Sequence, residues 1–272
     1  MPSRIASTQA APGASHDRFD APAFVLHRAR GRGAFVLLCE HASWHIPEAY
    51  GGLGLTESER RRHIGWDLGA DDLARALSDR LDAPLVSATY SRLLLDLNRA
   101  PGAHDASPTR SEDTDIPGNV GMDDDERAAR HRGIYTPFHD AAAALLEQRT
   151  AAGDAPVVVS IHSFTPVFHG EARPWHCGLI SRGERPLALA LMATLRADDP
   201  GLCVGDNLPY GATDGKFHTI ERHGEARGLH GLVIEVRQDL LADDAGVAAW
   251  ADRLASGLRI AHRAVASRVS GA

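Results

Sequence analysis

PVVVSI, residues 156–161, is the clearest β-branched run in the chain, and it stops at a polar cluster, His162-Ser163. A continuous apolar run of this length, with no alternation, predicts a strand buried on both faces of a sheet. Working outward, AFVLLC (34–39) and LVIEV (232–236) have the same character. The first is followed directly by Glu40-His41, and the second carries Glu235 within it. Ala83 to Ala88, Leu93 to Leu97 (LLLDL, followed by Asn98-Arg99) and Cys177 to Ser181 read as further strands. Between them, helices are expected over Thr56 to Leu81, Asp123 to Gln148 with a kink at Pro137, Leu187 to Arg196, and Asp243 to Ser267. Alternating strands and helices predict an α/β fold of one domain, a mixed but mostly parallel sheet with helices on both faces. Residues 1–20 read as a disordered tail and residues 21–272 as the domain.

The 272 residues carry 29 Lys plus Arg against 36 Asp plus Glu, a net charge of −7. This leaves no basic footprint for nucleic acid. No apolar run is long enough for a secretory signal or a membrane span. Three widely spaced cysteines, Cys39, Cys177 and Cys203, argue against a disulfide framework or a cysteine zinc site. A cytoplasmic protein is expected.

In open α/β sheets the ligand site forms where loops leave the carboxyl ends of the strands. Four polar clusters sit at such ends: Glu40-His41, Asn98-Arg99, His162-Ser163 and Glu235-Val236-Arg237. His41 and His162 place one imidazole each at a strand terminus, as a catalytic zinc site requires when donors converge and one position stays open. Among 15 histidines most are surface or satisfied core residues, and His104, His131, His230 and His262 fit that description. A carboxylate inside LVIEV costs free energy unless paired or bound. Glu235 is therefore either an ion-pair partner of Arg237 or a general base beside a metal-activated water. Asn98-Arg99, with Ser91-Arg92 nearby, suits a grip on substrate carboxylates. Neither a GxSxG elbow around Ser91 or Ser163 nor a nucleotide-binding glycine motif is present.

Eight segments taken in order resemble the N-formylglutamate amidohydrolase family: CEHASWHIP (39–47), HIGWDLGA (63–70), YSRLLLDLNR (90–99), SIHSFTPVFHG (160–170), RPWHCGLI (173–180), GDNLPYGATDG (205–215), HTIERHGEARGL (218–229) and IEVRQDL (234–240). The resemblance implies a zinc exopeptidase, carboxypeptidase-like fold and a metal-dependent hydrolase of N-formyl-L-glutamate or a similar small anionic N-acyl amino acid. It implies His41 and His162 as metal ligands and Glu235 as general base. Carboxypeptidases place a glutamate three residues after the first histidine, where this chain has Trp44, so Asp67 is expected as the acidic ligand with Glu40 in reserve. Asn98 and Arg99 are expected to clamp the substrate carboxylate, and Arg92, His176, Tyr210 and Arg237 to line the pocket or orient ligands. His139, in YTPFH, is a further candidate against plain helix packing. Zinc is expected, with manganese, cobalt or iron as alternatives. Competing functions are a deacylase of other N-acyl amino acids, a small peptidase of the same fold, or a non-catalytic metal- or anion-binding protein.

Overall fold

The apolar runs become the centre of one seven-stranded sheet in the computed structural model, which describes residues 18–183, 185–212 and 217–269. The strands are β1 (Phe24–His27), β2 (Phe35–Cys39), β3 (Leu85–Ala88), β4 (Val157–Phe164), β5 (Cys177–Ile180), β6 (Val204–Asp206) and β7 (Gly231–Arg237). Their order is β1-β3-β2-β4-β7-β5-β6. The central β3-β2-β4-β7 pairings are parallel, as is β5 with β6, while β1 on β3 and β7 on β5 are antiparallel. The mixed, mostly parallel α/β architecture is therefore the one expected.

Helices α1 (Glu57–Arg60), α2 (Ala70–Leu81), α3 (Asp124–Arg130), α4 (Thr136–Ala151), α5 (Pro186–Asp198), α6 (His218–His223) and α7 (Asp244–Val269) surround the sheet. One core joins Leu37, Val159, Ile161, Leu179 and Ile234 to α2, α5 and α7. The other joins Val36, Leu38, Val158 and Val233 to Phe138 and Leu146 of α4 and Ile220 of α6. Successive strand residues point to opposite faces, so His162 and Glu235 share the α4 and α6 face with Val158 and Val233.

Three expectations need correction. Leu93 to Leu97 forms no strand: the chain coils, with Leu94 N–H donating to Ser91 O at 2.9 Å and Arg99 N–H to Asp96 O at 3.2 Å. A buried turn and a buried strand present the same apolar run, and only hydrogen bonding separates them. The helix expected over Thr56 to Leu81 is two helices. Thr56 caps α1 in a capping box with Glu59, and α2 begins only after Gly69. Gly69 holds φ +75° and an added Cβ would lie 2.6 Å from Leu241 Cβ, so the break needs glycine. Finally, the helix expected over Asp123 to Gln148 is not one continuous α-helix. A wide π turn at His131–Tyr135 precedes Pro137, with Thr136 N–H donating to His131 O.

The tail expected over residues 1–20 lies outside the described residues as far as residue 17. Phe19 packs on Tyr50 and Tyr90 at ring-centroid distances of 6.0 and 5.8 Å, and Asp20 accepts from His45 at 2.8 Å. Among the described residues no helix is long and apolar enough to cross a membrane.

Candidate metal centre and cavity

The carboxyl ends of β2, β4 and β7 open into a cavity of about 340 Å³. His41 stands two residues past β2, His162 lies within β4, and Glu235 is the register partner of His162 on β7. Asp67 arrives from the break before α2, where its N–H donates to His41 O at 2.9 Å and its own carbonyl receives Ala70 N–H at 3.1 Å. His41, Asp67 and His162 each offer a donor atom, all within 4.8 Å of one another, and all three residues are buried. His41 Nδ1 lies 3.3 Å and His162 Nδ1 2.7 Å from Asp67 Oδ2.

The outer nitrogens face carboxylates. His41 Nε2 meets Asp96 Oδ1 at 2.8 Å, and His162 Nε2 meets Glu40 Oε2 at 3.3 Å and Ser160 Oγ at 2.8 Å. Ser160 Oγ donates to Glu40 at 2.8 Å. Such outer carboxylates fix the tautomer and aim the inner nitrogen at a metal. Glu40, the reserve ligand, thus stands behind His162, whereas Asp67 stands in front.

Burial would raise all of these carboxylates, yet their partners prevail. Glu40 is brought down to about 2 by His162, and Asp67 and Asp96 are held below their usual range by His41, joined at Asp67 by His162 and at Asp96 by Arg92. Asp67 and Glu40 outweigh burial at His162 and raise its pKa well above the ordinary imidazole value. Two inward imidazole nitrogens and one ionised carboxylate, in a pocket that draws positive charge, fit a divalent transition metal such as zinc.

Glu235 behaves differently. Burial pushes its carboxyl up to about 7 against the pull of His162, and Oε2 has no hydrogen-bond partner among the described residues. The ion pair with Arg237 is not formed: Arg237 Nε donates to Asp239 at 2.8 Å, and Arg237 lies off the cavity. His176 also lies off it, accepting at Nδ1 from Cys203 N–H at 2.9 Å. Arg237 ends β7 and turns to Asp239, Arg173 O and Trp175 O, and His176 immediately precedes β5; strand periodicity does not encode these partners.

Asn98 does face the site. It lines the cavity, its Oδ1 accepts from Thr219 N–H at 3.0 Å, and its Nδ2 lies 3.5 Å from His162 Nε2. Arg99 reaches Asp105 at 2.7 Å and lines the cavity. Arg92, expected to line the pocket or orient ligands, lines the cavity and spans Asp96 at 3.0 Å and Asp67 at 3.4 Å. Tyr210 lines the wall near Glu235, and burial together with that charge raises its phenol to about 12. His139 lies behind the clamp. Its Nε2 donates to Leu97 O at 3.0 Å and its Nδ1 accepts from His223 at 2.8 Å.

Asp96 is the functional residue the sequence reading passed over, although an acid inside LLLDL carries the same signal as Glu235 inside LVIEV. His63, Arg110, Glu112 and Phe168 also line the cavity, from loops and two-residue strands too short to show periodicity. The serine alternative loses both nucleophiles, since Ser91 Oγ donates to Gly65 O and Ser163 Oγ to Leu68 O, each at 2.7 Å.

A solved structure, the gene product Atu2144 from Agrobacterium tumefaciens, is similar at 41% identity and a TM-score of 0.87, with 90% of this chain and 96% of that chain covered. An N-formylglutamate amidohydrolase from Ralstonia eutropha JMP134 shares the fold at 21% identity and a TM-score of 0.65, with 89% and 98% covered. No curated protein matches the sequence. The N-formylglutamate amidohydrolase family model matches residues 33–242, from before β2 to beyond β7 and so across every residue of the cavity described above, and the chain belongs to that amidohydrolase family.

Proposed function

We propose that this protein is a metal-dependent amidohydrolase, best matched to zinc, that cleaves the amide of N-formyl-L-glutamate or a similar small anionic N-acyl amino acid. The observation that carries this reading is the joint aim of the two imidazoles: both Nδ1 atoms turn toward Asp67 while both Nε2 atoms are held by carboxylates. His41, His162 and Asp67 would hold the ion. A divalent cation bound there supplies Lewis-acid chemistry, polarising the amide carbonyl and acidifying water.

The remaining work falls to side chains. Glu235, with a proton affinity near neutrality and an oxygen unpartnered among the described residues, takes a proton from the attacking water and returns it to the leaving amine. Asn98 Nδ2 and Arg99 orient a substrate carboxylate, and Phe164, Phe217 and Tyr210 exclude bulk water from the wall. The free thiols Cys39, Cys177 and Cys203 support a reducing, cytoplasmic setting. The test is release of formate and glutamate from N-formyl-L-glutamate by purified protein, before and after chelation and zinc replacement. Activity is expected to vanish on chelation, to return with zinc, and to fall by about 10²- to 10⁴-fold in Glu235→Gln with metal content unchanged. Full activity in the chelated protein would overturn metal dependence, and full activity in the variant would remove Glu235 from its role.

A further inference from the structure

Three arginines line the cavity and are committed to acids; a fourth, Arg173, is off the lining and stands against its aromatic wall. Arg92 holds Asp96 and Asp67, Arg99 holds Asp105 at 2.7 Å with Asp96 at 3.8 Å, and Arg110 holds Asp115 at 2.8 Å. Arg173 is the exception: among the described residues no carboxylate lies within ion-pair distance of it. Its guanidinium carbon sits 4.3 Å from the Phe168 ring centroid, 5.2 Å from that of Tyr210 and 5.9 Å from that of Phe164. One nitrogen donates to Tyr210 Oη at 3.2 Å. Those three aromatic rings line the same cavity as Glu235.

The backbone of Arg173 is fixed at both ends, its N–H donating to Pro166 O at 2.8 Å and its carbonyl receiving Arg237 Nη1 at 3.4 Å. Stacking on aromatic faces orders the guanidinium without spending its N–H donors, of which Tyr210 takes one. What remains is a pre-ordered planar fork beside the wall of the cavity, matched in shape and charge to a carboxylate. Tyr210 links this fork to the site, since it accepts from Arg173 at 3.2 Å and lines the same cavity as Glu235.

Resting on the amidohydrolase reading above, we propose that Arg173, with Tyr210, selects an acidic side chain in the substrate by binding its distal carboxylate while the scissile amide lies at Glu235. Asn98 and Arg99 are then left for the α-carboxylate, and an N-acyl-glutamate satisfies both sites. Arg173 is a specificity residue and takes no part in bond cleavage.

The test compares kcat/KM of the zinc-loaded enzyme for N-formyl-L-glutamate and N-formyl-L-glutamine, in the natural protein and in Arg173→Gln and Arg173→Lys. The natural protein is expected to prefer the glutamate substrate. Arg173→Gln is expected to lower kcat/KM for it by about tenfold to a hundredfold, through KM, and to leave the glutamine substrate unchanged. Arg173→Lys should retain part of the preference. Equal loss on both substrates, as a stacking role alone would give, or no preference in the natural protein, overturns the assignment. Calorimetric binding of glutarate, a dicarboxylate with no amide to cut, separates this inference from the hydrolase reading. Binding weakened in Arg173→Gln supports the assignment even if no substrate turns over, and equal binding refutes it.

Discussion

Acidification provides a sharp test of the packing behind the clamp. His139 and His223 are fully buried and hydrogen-bonded to each other, and His223 Nδ1 has no partner among the described residues. Burial lowers both to about 3, helped at His139 by the neighbouring His223 and at His223 by Arg222. An unfolded chain protonates both near pH 6.5, so between pH 6.5 and about 3 the unfolded state binds protons that the native state refuses. Stability contributed by the neutral pair is complete above the unfolded pKa and is lost as pH falls. From pH 6 to pH 5 each histidine withdraws about 1.2 kcal/mol, and the pair about 2.4 kcal/mol.

Urea unfolding of the metal-free protein at both pH values measures this, with His223→Leu and a His139→Leu/His223→Leu double variant alongside. The variants' absolute stabilities are irrelevant; the change with pH decides. Subtraction cancels groups common to all three proteins, and the natural protein should lose about 1.2 kcal/mol more than the single variant and about 2.4 kcal/mol more than the double. Parallel losses in all three would refute the claim that the native pair stays neutral.

Asp96→Asn should weaken metal affinity by about 10- to 100-fold, read by competition with a chromophoric chelator, because His41 Nε2 loses its charged acceptor; unchanged affinity would exclude that supporting role. Gly178→Ala should cost about 1–3 kcal/mol in thermal unfolding, since the new Cβ would lie 1.9 Å from Leu208 O in the segment that carries Tyr210. A variant as stable as the natural protein would show that this segment yields freely.

The central sheet was readable because β-branched and aliphatic runs specify buried strands wherever they fall, and 34–39, 156–161 and 232–236 lie side by side as β2, β4 and β7. Edge strands were not. Phe24–His27 is half exposed and Val204–Asp206 is three residues long, too little pattern to stand out from a loop. At the site, His41, His162 and Glu235 were legible as polar residues attached to buried strands. Asp67 entered only through the family resemblance, because the helical reading of Thr56 to Leu81 concealed the turn that delivers it. Asp96 was hidden by a strand assignment that directed attention to the end of LLLDL and away from the acid within it. The different fates of Arg92, which holds two carboxylates, and Arg173, which holds none among the described residues, depend on neighbours up to 37 residues away in sequence. Composition and spacing do not carry such information.

The π turn before Pro137 acts as a spacer with a fixed residue count. Upstream of it, Arg130 reaches Leu94 O at 2.9 Å; downstream, His139 reaches Leu97 O at 3.0 Å. The two bonds grip opposite ends of the coil that holds Asp96. Deleting one residue from 131–135 would restore a regular helix but turn one half about 100° against the other, so only one grip would survive. Length in this segment should therefore be less tolerant of change than sequence, a constraint that substitution scanning alone would not reveal.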